Sequence, residues 1–368
     1  MLRLTAFPAR EGDCLAIEYG DASNPFRILI DGGRAQTYQD YLKPWLAKIP
    51  AEQRRIDLFV ITHIDRDHID GALKLAQDSD FALHVCDVWF NGWYHLSGDR
   101  PPVPKIAVLA PRAGEALSRA IMARGWAWNA AFDRGTVAIG DANAPVTKAL
   151  PGGATIRLLS PDMAKLAALK PVWESECRRA GLLPGGGTVL RRPGRRQLLA
   201  RPETIEAFQA LAARTSDVDK GLPNGTSIAF MFEYDGRELL FAADAHPDRL
   251  LASLRAHYGP EPLRLDLLKV PHHGSRANVT KTLCQSLDAR AALISTNGDM
   301  FGHPDAEAVA RLALTQRNPG QIHFNYSSPT TEIWGELSNL KLDVSYPKPD
   351  DQGWCVLEFC KAGTVQRL

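Results

Sequence analysis

Thr62-His63-Ile64-Asp65-Arg66-Asp67-His68-Ile69-Asp70-Gly71 is the stretch on which the reading of this chain turns. It sets four metal-capable side chains, His63, Asp65, Asp67 and His68, within six residues. Just before it runs Ile56-Asp57-Leu58-Phe59-Val60-Ile61-Thr62, a short apolar run of the buried-strand type. A helix is expected from about residue 69. A strand that empties into such a loop holds the loop on a rigid base. Imidazole nitrogen together with carboxylate oxygen suits borderline and hard divalent ions. An isolated Asp-rich turn is usually a solvated loop, and a lone histidine is usually a satisfied core residue. Here that bland reading has to cover several His and Asp residues, all at expected strand ends.

Working outward, the same pattern recurs. Residues 14–19 and 26–31 read as strands of a hairpin across Gly20-Asp21-Ala22-Ser23-Asn24-Pro25, and the second stops at Asp31-Gly32-Gly33. A helix is expected over 37–49. Residues 226–234 and 237–243 form a second hairpin around Asp235-Gly236, ending at Asp244. The strand 265–270 runs into Pro271-His272-His273-Gly274-Ser275. The strand 291–296 precedes Gly302-His303-Pro304 and a helix at about 304–314. Residues 154–160 read as a strand, 203–214 as a helix, and the last 50 residues mostly as strands. A two-metal site needs more ligands than one loop supplies. Asp244 and His272 or His273, each at a strand end, are the candidates. The fold class is α/β.

Composition narrows the function. The chain has 368 residues, 45% hydrophobic, enough for a large core. Its 43 basic and 42 acidic residues leave a net charge of +1, so no global field draws it to nucleic acid or a membrane. The six cysteines are irregularly spaced with no C-x-x-C pair, and are expected as reduced thiols rather than zinc ligands. The N-terminus carries no long apolar segment, and no run of about 18 apolar residues occurs, so a cytoplasmic protein without membrane contact is expected. The aromatic clusters at 89–94 and 126–132 are expected as local core. One local feature is strongly charged: residues 178–201 hold seven arginines, including Arg191, Arg192, Arg195 and Arg196, and no acid. Broken by prolines and glycines, it reads as a loop able to grip the phosphates of DNA or RNA, with Trp173 as a stacking surface. A solvated or ion-paired surface loop is an equal alternative.

The motifs, in this order, resemble the metallo-β-lactamase superfamily, closest to the ComEC-type branch, which reads H-x-D-x-D-H where most members read H-x-H-x-D-H. Gly12-Asp13-Cys14, Ile30-Asp31-Gly32-Gly33, Asn224-x-x-Ser227, Phe241-Ala242-Ala243-Asp244, Leu268-Lys269-Val270-Pro271-His272-His273-Gly274-Ser275 and Gly302-His303-Pro304 match further marks of that branch. The resemblance covers roughly 1–90 and 220–315. It implies an αββα sandwich forming a single domain over 1–368, with an inserted middle region at about 90–220 and a strand-rich extension at about 316–368. It implies two divalent ions at one edge, Mn²⁺ or Zn²⁺, with Mg²⁺ also fitting. His63 and Asp65 would serve the first ion, Asp67 and His68 the second, and Asp244 both. One of His272 and His273, His272 by preference, would complete the second site. Asp67 or Asp244 would orient the attacking water, and His303 would donate a proton or hydrogen bond to the leaving oxygen. Asn224 and Ser275 would face the substrate, and Arg191, Arg192, Arg195 and Arg196, outside the region the resemblance covers, are substrate candidates on their charge alone. Two departures stand out: Ala243 replaces the usual glycine, and Asn224 replaces a third histidine of the first site.

The expected chemistry is hydrolysis by water activated between the ions. The resemblance tilts it towards phosphodiesters, hence a nuclease or phosphodiesterase. Hydrolysis of a small ester, thioester, lactone or cyclic nucleotide is the second reading. A catalytically weak regulatory or binding module is the third.

Overall fold

Side chains that alternate between two apolar faces build two sheets, each buried on both sides. On the second strand Leu15, Ile17 and Tyr19 point into one core and Ala16 into another. Phe230 and Phe232 likewise face opposite to Ala229 and Met231. A strand with both faces apolar must be covered twice, by a sheet and by helices. That requirement gives four layers, helix–sheet–sheet–helix. The computed structural model describes residues 1–98, 113–140, 144–179, 204–315, 320–335, 342–348, 353–360 and 365–367.

The first sheet runs β17-β16-β1-β2-β3-β5-β7. Its strands are β1 (Leu2–Ala6), β2 (Leu15–Tyr19), β3 (Phe26–Ile30), β5 (Leu58–Val60), β7 (Val88–Trp89), β16 (Cys355–Phe359) and β17 (Val365–Arg367). The second runs β15-β14-β13-β12-β11-β10-β9-β8. It is made of β8 (Val146–Ala149), β9 (Thr155–Ser160), β10 (Ala229–Tyr234), β11 (Arg237–Phe241), β12 (Leu263–Lys269), β13 (Leu287–Ile294), β14 (Gly320–Phe324) and β15 (Leu342–Ser345). A small parallel pair joins β4 (Arg55–Ile56) to β6 (His84–Val85).

Residues between and beyond the motif-bearing stretches also enter the sheets. β8 and β9 close one edge of the second sheet, and β16 lies between β1 and β17 in the first. The first sheet is covered by α1 (Ala35–Thr37), α2 (Lys43–Ala47), α3 (Arg66–Gln77) and α4 (Ala113–Ala123). The second is covered by α6 (Ile205–Ala213), α8 (Pro247–Tyr258), α9 (Lys281–Gln285) and α10 (Ala306–Thr315). The αββα expectation holds.

The parallel parts of both sheets position the site. β3, β5 and β7 are parallel, as are β11 to β15. Their carboxyl ends therefore share one edge, where open α/β sheets bind ligands. Ile228 N–H donates to Thr62 O at 2.9 Å, tying the two sheets together there.

Some expectations are corrected. The helix expected from about 69 begins at Arg66, with Asp65 at its N-cap, so Asp67 and His68 ride its first turn. A carboxylate in the first turn is favoured by the helix dipole. The arginine-rich stretch begins as helix: α5 (Met163–Arg179) includes Arg178 and Arg179. Trp173, expected as a stacking surface, is only 3% exposed and packs against Leu96, Leu166 and Leu169. The aromatic clusters are local core as expected: Trp89, Phe90, Trp126 and Trp128 are buried. Cys14, Cys86, Cys284, Cys355 and Cys360 are free. No helix among the described residues is long and apolar enough to cross a membrane.

Candidate metal centre

Four histidines aim the same ring atom at one carboxylate. Asp244 follows β11 and is 2% exposed. Its Oδ2 lies 3.8 Å from His63 Nε2, 3.6 Å from His68 Nε2 and 3.7 Å from His272 Nε2. Its Oδ1 lies 3.6 Å from His273 Nε2. Asp65 Oδ2 is 3.8 Å from His63 Nε2. Asp67 Oδ2 is 3.9 Å from His68 Nε2 and 3.7 Å from His273 Nε2. These seven residues converge, as the sequence predicted.

The outer nitrogens are all engaged with acceptors. His68 Nδ1 donates to Asp31 Oδ2 at 2.8 Å. His273 Nδ1 donates to the Ser295 carbonyl at 2.9 Å. His272 Nδ1 lies 2.8 Å from Asn278 Oδ1 and 3.3 Å from Asp219 Oδ2. His63 Nδ1 lies 3.0 Å from Thr62 Oγ1, whose proton goes to Asp31 at 2.8 Å. In each neutral ring the proton therefore sits on Nδ1 and the lone pair on Nε2, the tautomer of a metal-binding histidine.

Lone pairs and carboxylates that face one another need a positive charge between them. His68 Nε2 and His273 Nε2 approach to 3.2 Å. His63 Nε2 and Asp244 Oδ1 are buried and take no hydrogen bond. A divalent cation satisfies this arrangement, and the donor set of imidazoles and carboxylates fits one. Asp13, His68, Asp244 and His273 form one buried candidate metal group, with donor atoms all within 4.8 Å of one another.

The electrostatics agree. Burial, then His68, holds His63 down at about 3, neutral and ready to coordinate. Against the cost of burial, Asp244 and Asp219 raise His272 to about 9. Asp244 is held well below the usual carboxylate range by His272, His273 and His68, against its burial. Burial, then Asp67 and Asp244, pushes Asp65 up to about 7. Its side chain is 42% exposed, so like-charge crowding rather than desolvation is the cause to stress.

The backbone pays for this convergence. In an extended chain, consecutive residues point to opposite faces. His272 and His273 instead adopt left-handed φ values of 47° and 55°, which turns both rings to the same side. Such positions cost on the order of 1–3 kcal/mol each and concentrate at functional sites. Ala243 has φ 46°, so the glycine usual there would sit without strain.

A match to the metallo-beta-lactamase superfamily runs over residues 24–298. The chain belongs to that superfamily. Its fold is the hydrolase-type fold of that superfamily, and the His/Asp cluster is its candidate metal site. Among solved structures it is similar to "CmlA beta-hydroxylase E377D mutant", at 12% identity and a TM-score of 0.37, covering 97% of this chain and 54% of that one. The chain thus spans about half the length of that relative. No curated protein matches.

In this metallo-β-lactamase frame the remaining candidates sort as follows. His273, not His272, is the imidazole beside Asp67 and His68, because the left-handed turn swings the two rings to different oxygens of Asp244. Asn224 spends its amide on Asp219 Oδ2 at 2.7 Å. Ser275 is 6% exposed, and its Oγ accepts from Ala277 N–H at 3.4 Å. His303 stands 5.7 Å from His272, ring to ring, with Nδ1 3.8 Å from Asp305 Oδ2. Arg191, Arg192, Arg195 and Arg196 lie outside the described residues.

Sequence reasoning missed four residues of the centre: Asp13, Asp31, Asp219 and Asn278. Asp13 and Asp31 carried a signal, since each lies in a short stretch that resembles the superfamily's N-terminal marks, but neither was assigned a role at the centre. Asp219 and Asn278 lie in polar segments with no periodicity, and nothing local marks them.

Proposed function

We propose that this protein is a metal-dependent phosphodiesterase, acting on DNA or RNA, of the ComEC-type branch. The observation that supports it most is the donor set. Asp65, Asp67 and Asp244 contribute three carboxylates among four imidazoles, a mixed nitrogen–oxygen centre of the kind suited to Mn²⁺ or Zn²⁺ and to hydrolysis of a phosphodiester. The chemistry such ions supply when bound is Lewis-acid activation of water and of the substrate's phosphoryl oxygen.

The chain's own groups do the rest. His63, His68, His272 and His273 present fixed lone pairs, held by Thr62, Asp31, Asn278 with Asp219, and the Ser295 carbonyl. Asp67, on the first turn of α3, keeps its carboxylate charged beside His68 and His273 and can orient the attacking water. His303, buried beside His272 at 5.7 Å ring to ring, would protonate the leaving oxygen. The arginines of 178–201 would hold flanking phosphates in any sequence context.

The test is cleavage of labelled single- and double-stranded DNA, RNA and bis-p-nitrophenyl phosphate with Mn²⁺, Mg²⁺ or Zn²⁺. Metal-dependent cutting by the native protein is expected, lost by at least about 100-fold in Asp67→Ala, the scale of a removed catalytic acid–base group. Hydrolysis of the small diester alone would shift the reading to a small phosphodiester. No cleavage of any of them would sink it and favour an acyl substrate or a binding role.

A further inference from the structure

The first site should be short of imidazoles. Asp65 stands where most of the superfamily has a histidine, and Asn224 stands where a third would be. Asn224 does not make good the loss, since its amide donates to Asp219. Yet one imidazole in the cluster is still to be placed. His272 faces Asp244 Oδ2 at 3.7 Å, the oxygen that His63 and His68 also face, at 3.8 and 3.6 Å. What separates the two neighbours His272 and His273 is Asp67: both His68 and His273 lie beside it, at 3.9 and 3.7 Å, and beside each other at 3.2 Å, whereas His272 lies beside Asn224 and Asp219. His272 also lies directly against Asn224, with Nδ1 3.4 Å from Asn224 Nδ2.

We propose that His272 is a ligand of the first metal, taking over from the imidazole that position 224 lacks, and that Asp219 is its positioning residue. The two histidines of Pro271-His272-His273-Gly274 then serve different ions. The first site becomes His63, Asp65, His272 and Asp244, and the second Asp67, His68, His273 and Asp244. Each has four protein donors, with Asp244 shared.

Asp219 makes the exchange workable. Its Oδ2 collects Asn224 Nδ2 at 2.7 Å, Asn278 Nδ2 at 3.0 Å and His272 Nδ1 at 3.3 Å. Asn278 adds its own Oδ1 to His272 Nδ1 at 2.8 Å, and its amide also donates to the Asp244 carbonyl at 3.2 Å. One half-buried carboxylate thus ties together the Asn224 side chain, the His272 ring and the segment carrying the shared ligand. A carboxylate behind a coordinating imidazole fixes its tautomer and raises its basicity.

The inference rests on metal binding at this centre and not on what the centre cleaves. Metal-free protein titrated calorimetrically with Mn²⁺ or Zn²⁺, with ion content read by mass spectrometry after desalting, tests it without turnover. The native chain is expected to take two ions. His272→Ala and Asp65→Asn should each leave one ion, and their double variant should still leave one, because both changes strip the same site. His272→Ala with His273→Ala should leave none. Asp219→Asn should keep the second site and weaken the first by about 10–100-fold. Circular dichroism checks each variant, and His272→Gln replaces any alanine variant that fails to fold. Retention of two ions by His272→Ala, complete loss in the His272→Ala/Asp65→Asn double variant, or uptake of a single ion by the native chain would overturn the proposal. Two ions lost in the expected pattern, with no phosphodiester cleaved, would sink only the substrate reading.

Discussion

At the scale of single residues, Asp31 shows how much organisation one carboxylate can carry. It is fully buried and adopts φ 56° at the end of β3. It accepts from Thr62 N–H at 2.7 Å, Thr62 Oγ1 at 2.8 Å and His68 Nδ1 at 2.8 Å. Through Thr62 it also sets the tautomer of His63. His272 carries the clearest pH consequence. In the metal-free protein its pKa is raised to about 9, so below that pH the ring holds a proton that an ion must displace. Ion affinity should therefore rise with pH up to about 9, by at least about tenfold per unit, because Asp244 and Asp31 hold a proton on His68 as well, against its burial. Calorimetry in buffers of different ionisation enthalpy would show the proton release, and a dissociation constant flat between pH 6 and 9 would contradict it. The sign for stability is opposite. A raised pKa stabilises the metal-free fold below the ordinary value of 6.5, and this contribution is lost as pH climbs through about 9.

At the scale of elements, α3 is pressed backbone to backbone against the turn after β3. Gly71 N–H donates to Gly33 O at 2.9 Å, and Gly32 N–H to His68 O at 2.8 Å. A Cβ on Gly71 would lie 1.9 Å from Gly32 O, and one on Gly12 would lie 1.7 Å from Asp67 O. These close approaches bring His68 to Asp31 and hold Asp67 over the site. Gly71→Ala gains about 1 kcal/mol of helix propensity. The collision is with backbone that no rotamer change can clear, and overpacking of that kind costs about 1–3 kcal/mol. Net destabilisation is expected, with weaker ion binding because α3 must lift. Urea unfolding with the calorimetric titration checks both, and an unchanged midpoint would show that the turn yields freely.

At the scale of the whole molecule, the far end of the chain completes the beginning. β16 pairs with β1 from Arg3 opposite Glu358 to Ala6 opposite Cys355. Cys355, Leu357, Phe359 and Val365 face the core between the sheets. Burying Leu357, Phe359 and Val365 contributes roughly 5–9 kcal/mol. That is comparable to the whole stability of a domain, about 5–15 kcal/mol. A chain truncated after Gly335 should thus lose cooperative thermal unfolding, although every metal-site residue remains. A sharp, native-like calorimetric transition in the truncated chain would refute this. The strands after β1 also bring the parallel ends of both sheets to one edge, which is how Asp31, His63, Asp244 and His273 meet across more than 200 residues of sequence.

The class of fold and the candidate donors were legible in the sequence. Dense His/Asp spacing after an apolar run, and period-two strands ending in Asp or His, are local properties of side-chain chemistry and backbone geometry. They were enough to name His63, Asp65, Asp67, His68, Asp244, His272 and His273 together. Which histidine meets which oxygen of Asp244 depends on the closed fold. That choice rests on two left-handed residues and a turn whose rings swing apart, and no sequence period encodes it. The tertiary structure also brought in Asp13, Asp31, Asp219 and Asn278. The stretches around Asp13 and Asp31 resemble family marks, but which ring or ion each would meet, and that Asp219 and Asn278 would join them, follows only once the sheets have closed.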